Sequence, residues 1–202
     1  MAANAKKRIW LLRHAETEWS VDGRHTGSRS DIPLTDAGER MAVDLNPIVA
    51  DRTFDLVLVS PMQRTRRTAE LAGILEGAEF DENLLEWDYG DYEGITTREI
   101  RQTVPGWTIW NGTCPGGETG EQVAARARAV IDRSLAVDGD VALVSHGHYL
   151  RVLAATWLQM APQHGADLTL STGTISVLGF EHEYRTIIHW NQLVHGMTKE
   201  ST

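Results

Sequence analysis

Arg13 and His14 stand side by side at the end of a short apolar run, residues 9–12, and a second histidine, His146, closely follows another such run, 141–144. Ser60 follows a third run, 55–59, with Arg64 a few residues beyond it. An imidazole beside guanidinium groups suits a phosphate better than a metal ion. Fixed cations repel a metal, whereas planar guanidinium forks donate in pairs to phosphate oxygens. In that reading Arg13, Arg64 and a protonated His146 bind the phosphate, and His14 attacks phosphorus. His146 and His148 also form an H-x-H pair, a fragment of a metal site if Glu16 or a carboxylate near Asp88 joins it. Without a clear further ligand set that reading ranks last, and His148 reads as an ordinary residue at a helix start. The chain has no G-x-S-x-G elbow and no G-x-x-x-x-G-K-[ST] loop, so serine-hydrolase and P-loop chemistry lack their anchors.

The string EWDYGDYEG, Glu86 to Gly94, packs four carboxylates and three aromatic residues into nine positions and is expected to line or cover a pocket. A carboxyl in a partly apolar setting has its pKa raised and can protonate a departing alkoxide, then act as base for water. Glu86, beside Trp87, is the candidate. Trp87, Trp107 and Trp110 are expected to shape the pocket and to offer a sugar an apolar face, whereas Trp10, Trp157 and Trp190 read as core.

These residues need elements to position them. The apolar runs 9–12, 55–59 and 141–144 are too short for helices and read as buried strands. Helical patterns follow at 34–50, with Thr35 and Asp36 as caps and Pro47 near its end, at 63–75 and at 149–158. Strands alternating with helices imply an α/β three-layer sandwich, a mostly parallel sheet with helices on both faces. In such a fold ligands bind beyond the carboxyl ends of the strands. Residues 174–180 and 185–190 alternate apolar and polar side chains and are expected to pair antiparallel at the sheet edge. The connection 80–118, rich in Gly and Trp, reads as an insertion over the crevice, and 196–202 as a mobile tail.

The chain has 202 residues, 42% hydrophobic and 23% charged, which fits one folded domain over 1–202 and excludes disordered and collagen-like classes. Nineteen Lys and Arg against 28 Asp and Glu leave a net charge of −9, which opposes nucleic-acid or anionic-membrane partners, so any cationic site must be local. Cys114 is the one cysteine, which excludes an internal disulfide and a thiolate-rich zinc site and fits a reducing cytoplasm.

The motifs themselves resemble a known family. LLRHAETEW (Leu11 to Trp19), HTGSRSDIPLTDAG (His25 to Gly38), SPMQRTRRTA (Ser60 to Ala69), EWDYGDYEG, CPGGET (Cys114 to Thr119) and SHGHYLR (Ser145 to Arg151) are similar, in order and spacing, to the histidine phosphatase superfamily. The likeness is to the branch related to cofactor-dependent phosphoglycerate mutases. It implies a mutase-like fold in which His14 is phosphorylated, Arg13, Arg64 and His146 form the phosphate pocket, and Glu86 donates the proton. It also places Ser20, Thr26, Gly27, Trp87 and Gly147 among the substrate contacts. Ala15 replaces the usual glycine of the RHG motif, where a methyl would slightly crowd the pocket, and Ser28 stands where many mutases have tryptophan.

A mutase must retain a bisphosphate intermediate, which needs extra positive charge, yet Trp87 follows Glu86 and TIWNGTCPGGE has no basic residue. Asp88, Asp91 and Glu93 would further disfavour a substrate with its own carboxylate. The expectation is therefore a metal-independent phosphomonoester hydrolase of the acid-phosphatase type, similar also to sedoheptulose bisphosphatases. It would need no cofactor and would act on small sugar phosphates or bisphosphates. The alternatives are a phosphoglycerate mutase and a non-catalytic phosphate-binding domain; oligomeric state is not legible.

Overall fold

The computed structural model describes residues 7–194. The first strand, β1 (Ile9–Arg13), alternates its side chains between two cores. Trp10 and Leu12 pack on one face of the sheet and Ile9 and Leu11 on the other. Burial on both faces explains the uninterrupted apolar run. A short helix, α1 (Glu18–Asp22), follows, capped reciprocally by Thr17 and Ser20. Next come α2 (Asp36–Val49), capped by Thr35, then β2 (Leu56–Val59) and α3 (Gln63–Leu71).

The helix expected over 63–75 stops early, for a local reason. Gly73 has φ +79°, its N–H bonds to the Glu70 carbonyl and that of Ile74 to the Ala69 carbonyl, closing a Schellman motif. Pro47 sits inside α2 without ending it, since the Ala50 N–H still reaches the Asn46 carbonyl.

Residues 80–118 hold little regular structure beyond the end of β3 (Glu79–Phe80), two 3₁₀ turns and α4 (Thr97–Thr103). Then follow α5 (Gly120–Leu135), β4 (Val141–Ser145), α6 (Gly147–Trp157), β5 (Ile175–Glu181) and β6 (Tyr184–Gln192). The sheet order is β3-β2-β4-β1-β5-β6. β3, β2, β4 and β1 run parallel, and the antiparallel β5–β6 pair completes that edge, with β5 the strand that opposes its neighbours.

Helices α2 and α3 cover the Trp10 face, and α5 and α6 cover the Ile9 face, giving three layers. Trp10 and Trp157 are fully buried, whereas Trp190 on the edge strand is only partly covered and donates to the Thr169 carbonyl. Among the described residues no helix is long and apolar enough to cross a membrane. The tail expected at 196–202 lies outside the described residues.

The register sets the site. Arg13 pairs with Ser145, the His14 N–H bonds to the Ser145 carbonyl at 2.9 Å, and the Ser60 N–H to the Val144 carbonyl at 3.0 Å. The carboxyl ends of β1, β2 and β4 therefore finish level, side by side.

Candidate active site

At those strand ends lies a cavity of about 90 Å³ whose wall includes Arg13, His14, Ser20, Thr26, Glu86 and Gly147. The Nδ1 of His14 lies 2.8 Å from the Ala15 carbonyl. A carbonyl can only accept, so Nδ1 carries the proton and Nε2 keeps its lone pair. Burial first, then Arg64 and Arg13, hold the His14 pKa well below 6.5, so the ring is neutral and can act as a nucleophile.

Arg13 donates Nη1 to the Leu170 carbonyl, while its buried Nε has no acceptor. A Cβ on Gly147 would sit 3.1 Å from the Arg13 guanidinium, so the glycine lets Arg13 lie against the start of α6. Arg64, expected in the phosphate pocket, is fully buried behind the wall and, unlike Arg13, is not among the residues that line the cavity. It donates Nε to His146 Nδ1 (3.1 Å), Nη1 to the Ser30 carbonyl and Nη2 to the Gly27 carbonyl, which leaves two of its five N–H groups uncommitted. Unsatisfied guanidinium donors beside a neutral imidazole suit an oxyanion.

Two expectations about this wall are corrected. His146 is not the protonated donor: its Nδ1 accepts from Arg64, its Nε2 lies 2.8 Å from Ser60 Oγ, and burial with Arg64 pushes its pKa well below 6.5. It sits behind His14, ring centroids 5.2 Å apart, as the acceptor that aims Arg64. Gly27 does not line the cavity either. Its carbonyl holds Arg64, and a side chain there would collide with Glu93 and the Trp87 carbonyl.

Glu86 caps α6 from outside the helix. His146 makes no side-chain cap, and the His148 N–H (3.0 Å) and Tyr149 N–H (2.8 Å) go instead to the Glu86 carboxyl, as does the Trp87 N–H at 2.9 Å. Those donors and Arg13 favour ionisation, but burial outweighs them and raises the Glu86 pKa, so it can serve as a proton donor. Arg126 fixes the approach by donating Nη1 to the Asn83 and Leu85 carbonyls while paired in two bonds with Glu118.

Trp87 points the other way. Its ring donates to the Glu118 carbonyl and lines a separate cavity of about 510 Å³ with Trp110 and Cys114. Trp107 packs against His25 and Tyr92. None of the three tryptophans faces His14, because Tyr89, His25 and His148 take that wall, and sugar stacking on those rings is set aside. Nor do the other acids of EWDYGDYEG line it: Asp88 pairs with Arg29 at 2.8 Å, and Glu93 accepts from Gly27, Arg29 and Ser30. Ala15 is buried with its N–H on Thr68 Oγ1, so its methyl does not crowd the cavity.

Sequence reasoning missed Arg24, His25, Tyr89, His148, Arg151 and the Leu170 carbonyl. Tyr89 Oη and His148 Nδ1 share a hydrogen bond at 2.5 Å, which fixes the ring against the His25 face. His148 and Arg151 stood in SHGHYLR, and only the helix phase of α6 shows that both reach the cavity. Among the described residues no group of three or more His, Cys, Asp or Glu side chains is placed to hold a metal ion, so the H-x-H pair gains no partners.

Three buried histidines, His14, His25 and His146, and the half-buried His148 make a prediction about stability. His14, His146 and His148 are held well below 6.5 and His25 at about 4, with burial the first cause in each. The unfolded chain takes those protons near pH 6.5 and the folded chain does not. Stability is thus present above pH 6.5 and is lost as pH falls toward the folded values, each histidine adding about 1.4 kcal/mol per pH unit to the slope. Glu86, with a raised pKa, works the other way but is one group against four. Urea midpoints measured between pH 7.5 and 5 should fall steeply below 6.5; a flat profile would contradict the neutral state of these rings.

Comparison with known proteins agrees with the motif reading. The family model of the histidine phosphatase superfamily (branch 1) matches residues 9–193. The chain is 40% identical over 184 residues to an acid phosphatase of Mycobacterium tuberculosis, covering 89% of this chain and 90% of that protein. It is 32% identical over 188 residues to a sedoheptulose 1,7-bisphosphatase of Saccharomyces cerevisiae, covering 77% and 69%. A solved structure of an open reading frame product of Mycobacterium tuberculosis superposes with a TM-score of 0.88 at 38% identity, covering 94% of this chain and 99% of that one.

Proposed function

The chain belongs to the histidine phosphatase superfamily, and from that premise we propose that it hydrolyses small sugar phosphates or bisphosphates in the cytosol through a phosphohistidine on His14, without a metal ion. The observation that carries this reading is a neutral imidazole with a free Nε2 and a carboxyl of raised pKa opening on one cavity. His14 Nε2 bonds to phosphorus as the P–O bond to the alcohol breaks. Arg13 and Arg64 hold the equatorial oxygens, and the alkoxide leaves with the Glu86 proton. The Glu86 carboxylate then takes a proton from water as its oxygen bonds to phosphorus and the P–N bond breaks, releasing phosphate and restoring both groups. Ser20 and Thr26 are proposed to border the bound phosphoryl group. His146 and Gly147 act through Arg64 and Arg13.

Phosphate release from an aryl phosphate, a sugar phosphate, a sugar bisphosphate and 3-phosphoglycerate, measured in chelator, tests this. The expected result is turnover undiminished by chelator, because the guanidinium groups supply the charge stabilisation. Loss of turnover in chelator, restored by a divalent ion, would overturn metal independence. One observation favours the mutase reading: Arg24 and Arg151 line the cavity and supply positive charge that the sequence places nowhere near Glu86. Isomerisation of bisphosphoglycerate-primed 3-phosphoglycerate with no phosphate release would decide for it. Silence in both assays would leave a binding domain.

A further inference from the structure

We infer that Arg151, with Arg24 at the rim, forms a second anion subsite in the His14 cavity, so that preferred substrates carry a second anionic group beyond the ester being cleaved. This rests on the phosphatase reading. Arg151 lies on α6, one turn beyond Gly147, and lines the same cavity as His14 and Glu86. Its Nε donates to the Gly165 carbonyl at 2.9 Å and Nη2 to the Ala166 carbonyl at 3.2 Å, with the guanidinium stacked 4.5 Å over Trp110. No carboxylate pairs with it among the described residues, and Nη1 makes no hydrogen bond there. Those neutral partners fix the direction of the fork without cancelling its charge. Holding a partly buried cation this way is costly unless an anion completes it.

Charge counting points to the same ligand. The phosphoryl dianion is matched by Arg13 and Arg64. Arg151 remains in excess, while Arg24 at the rim is shared between Asp22, across an exposed 3.4 Å pair, and the field of Glu99; among the described residues the one acid on the wall, Glu86, is held toward its neutral form. His25 and His148 on that wall are neutral, so they neither supply nor cancel the excess. Of the acids that the sequence set against a charged substrate, Asp88 and Glu93 are spent on Arg29, Gly27 and Ser30, and Asp91 does not line the cavity. A distal phosphate or carboxylate both fit; a phosphate, with the larger charge, gains more.

The experiment compares kcat/KM for a sugar bisphosphate, 3-phosphoglycerate, the matching sugar monophosphate and an aryl phosphate, in wild type, Arg151→Met, Arg151→Lys and Arg24→Gln. Wild type is expected to favour the doubly anionic substrates, and in Arg151→Met the bisphosphate-to-monophosphate ratio should fall about 10- to 100-fold, carried by KM. Arg151→Lys should restore part of it, and Arg24→Gln should lower it less and more so at low salt. A larger fall for the bisphosphate than for 3-phosphoglycerate identifies the distal phosphate as the ligand. Ratios unchanged within twofold in both Arg151 variants overturn the subsite while aryl phosphate turnover shows the phosphatase reading standing. If wild type cleaves nothing, equilibrium binding of the bisphosphate and monophosphate to wild type and Arg151→Lys decides the subsite by the same ratio, and Arg24→Gln keeps the test open should Arg151→Met not fold.

Discussion

Replacing His14 with alanine is expected to lower turnover of every phosphate monoester by about 10⁴-fold or more, aryl and alkyl alike, with the thermal unfolding of the protein nearly unchanged. The size follows from chemistry: without an atom to accept the phosphoryl group, both half-reactions are lost together and only binding and oriented donors remain. The choice of His14 over His146, 5.2 Å away, follows from hydrogen bonding. His14 spends one nitrogen on the Ala15 carbonyl and keeps the other, whereas His146 spends one on Arg64 and the other on Ser60. Rapid mixing with radiolabelled aryl phosphate and an alkaline quench should therefore trap acid-labile phosphate on wild type and none on His14→Ala. His146→Ala should still label, more slowly by about 10²-fold, because Arg64 loses the acceptor that aims it. Label on His14→Ala would move the nucleophile elsewhere and sink the mechanism.

How far such a site can be read from sequence depends on which physical constraint each residue answers to. The strand ends were legible because β1, β2 and β4 are buried on both faces, which leaves short apolar runs that must stop where polar residues begin. Topology then forces Arg13, His14, Ser60 and His146 together, and helix α3 returns Arg64 to the same place. Gly73 was visible in the sequence, but nothing local says that its φ is positive and that a Schellman motif closes there.

Side-chain direction in the irregular segment was not legible. Glu86 and Trp87 are adjacent, yet one caps α6 and faces the cavity while the other lies in a second cavity, a split set by Arg126 gripping the 83 and 85 carbonyls from α5. Charge counting along the chain misled for a related reason. Asp88 and Glu93 sit beside Glu86 in sequence but are neutralised by Arg29 and by backbone N–H groups some 60 residues earlier. Arg151, an unremarked residue of a helix, brings to the site a charge that no carboxylate pairs among the described residues. Net charge per segment says nothing of pairing, and pairing decides the local field.

Glu86→Gln is expected to separate substrates by their leaving groups. An alkoxide needs a proton as it departs and a phenolate with electron-withdrawing substituents does not. kcat/KM, which reports the first half-reaction, should thus fall about 10²- to 10⁴-fold for sugar phosphates and about tenfold or less for an activated aryl phosphate. The aryl substrate should then show a burst of phenol release followed by slow turnover, because water lacks its base in the second half-reaction and the phosphohistidine accumulates. The pH dependence has a definite sign. Burial raises the Glu86 pKa, so in wild type the proton-donating form persists above the ordinary value of 4.5, and the sugar-phosphate profile declines as pH rises through the folded value. That alkaline limb should vanish in Glu86→Gln. On the acid side His14 imposes no limb near 6.5, since its own pKa is held well below that. Equal losses for aryl and sugar phosphates, with no burst, would assign Glu86 to capping α6 alone: the N–H groups of His148 and Tyr149 would then be the whole reason for a carboxyl at that position.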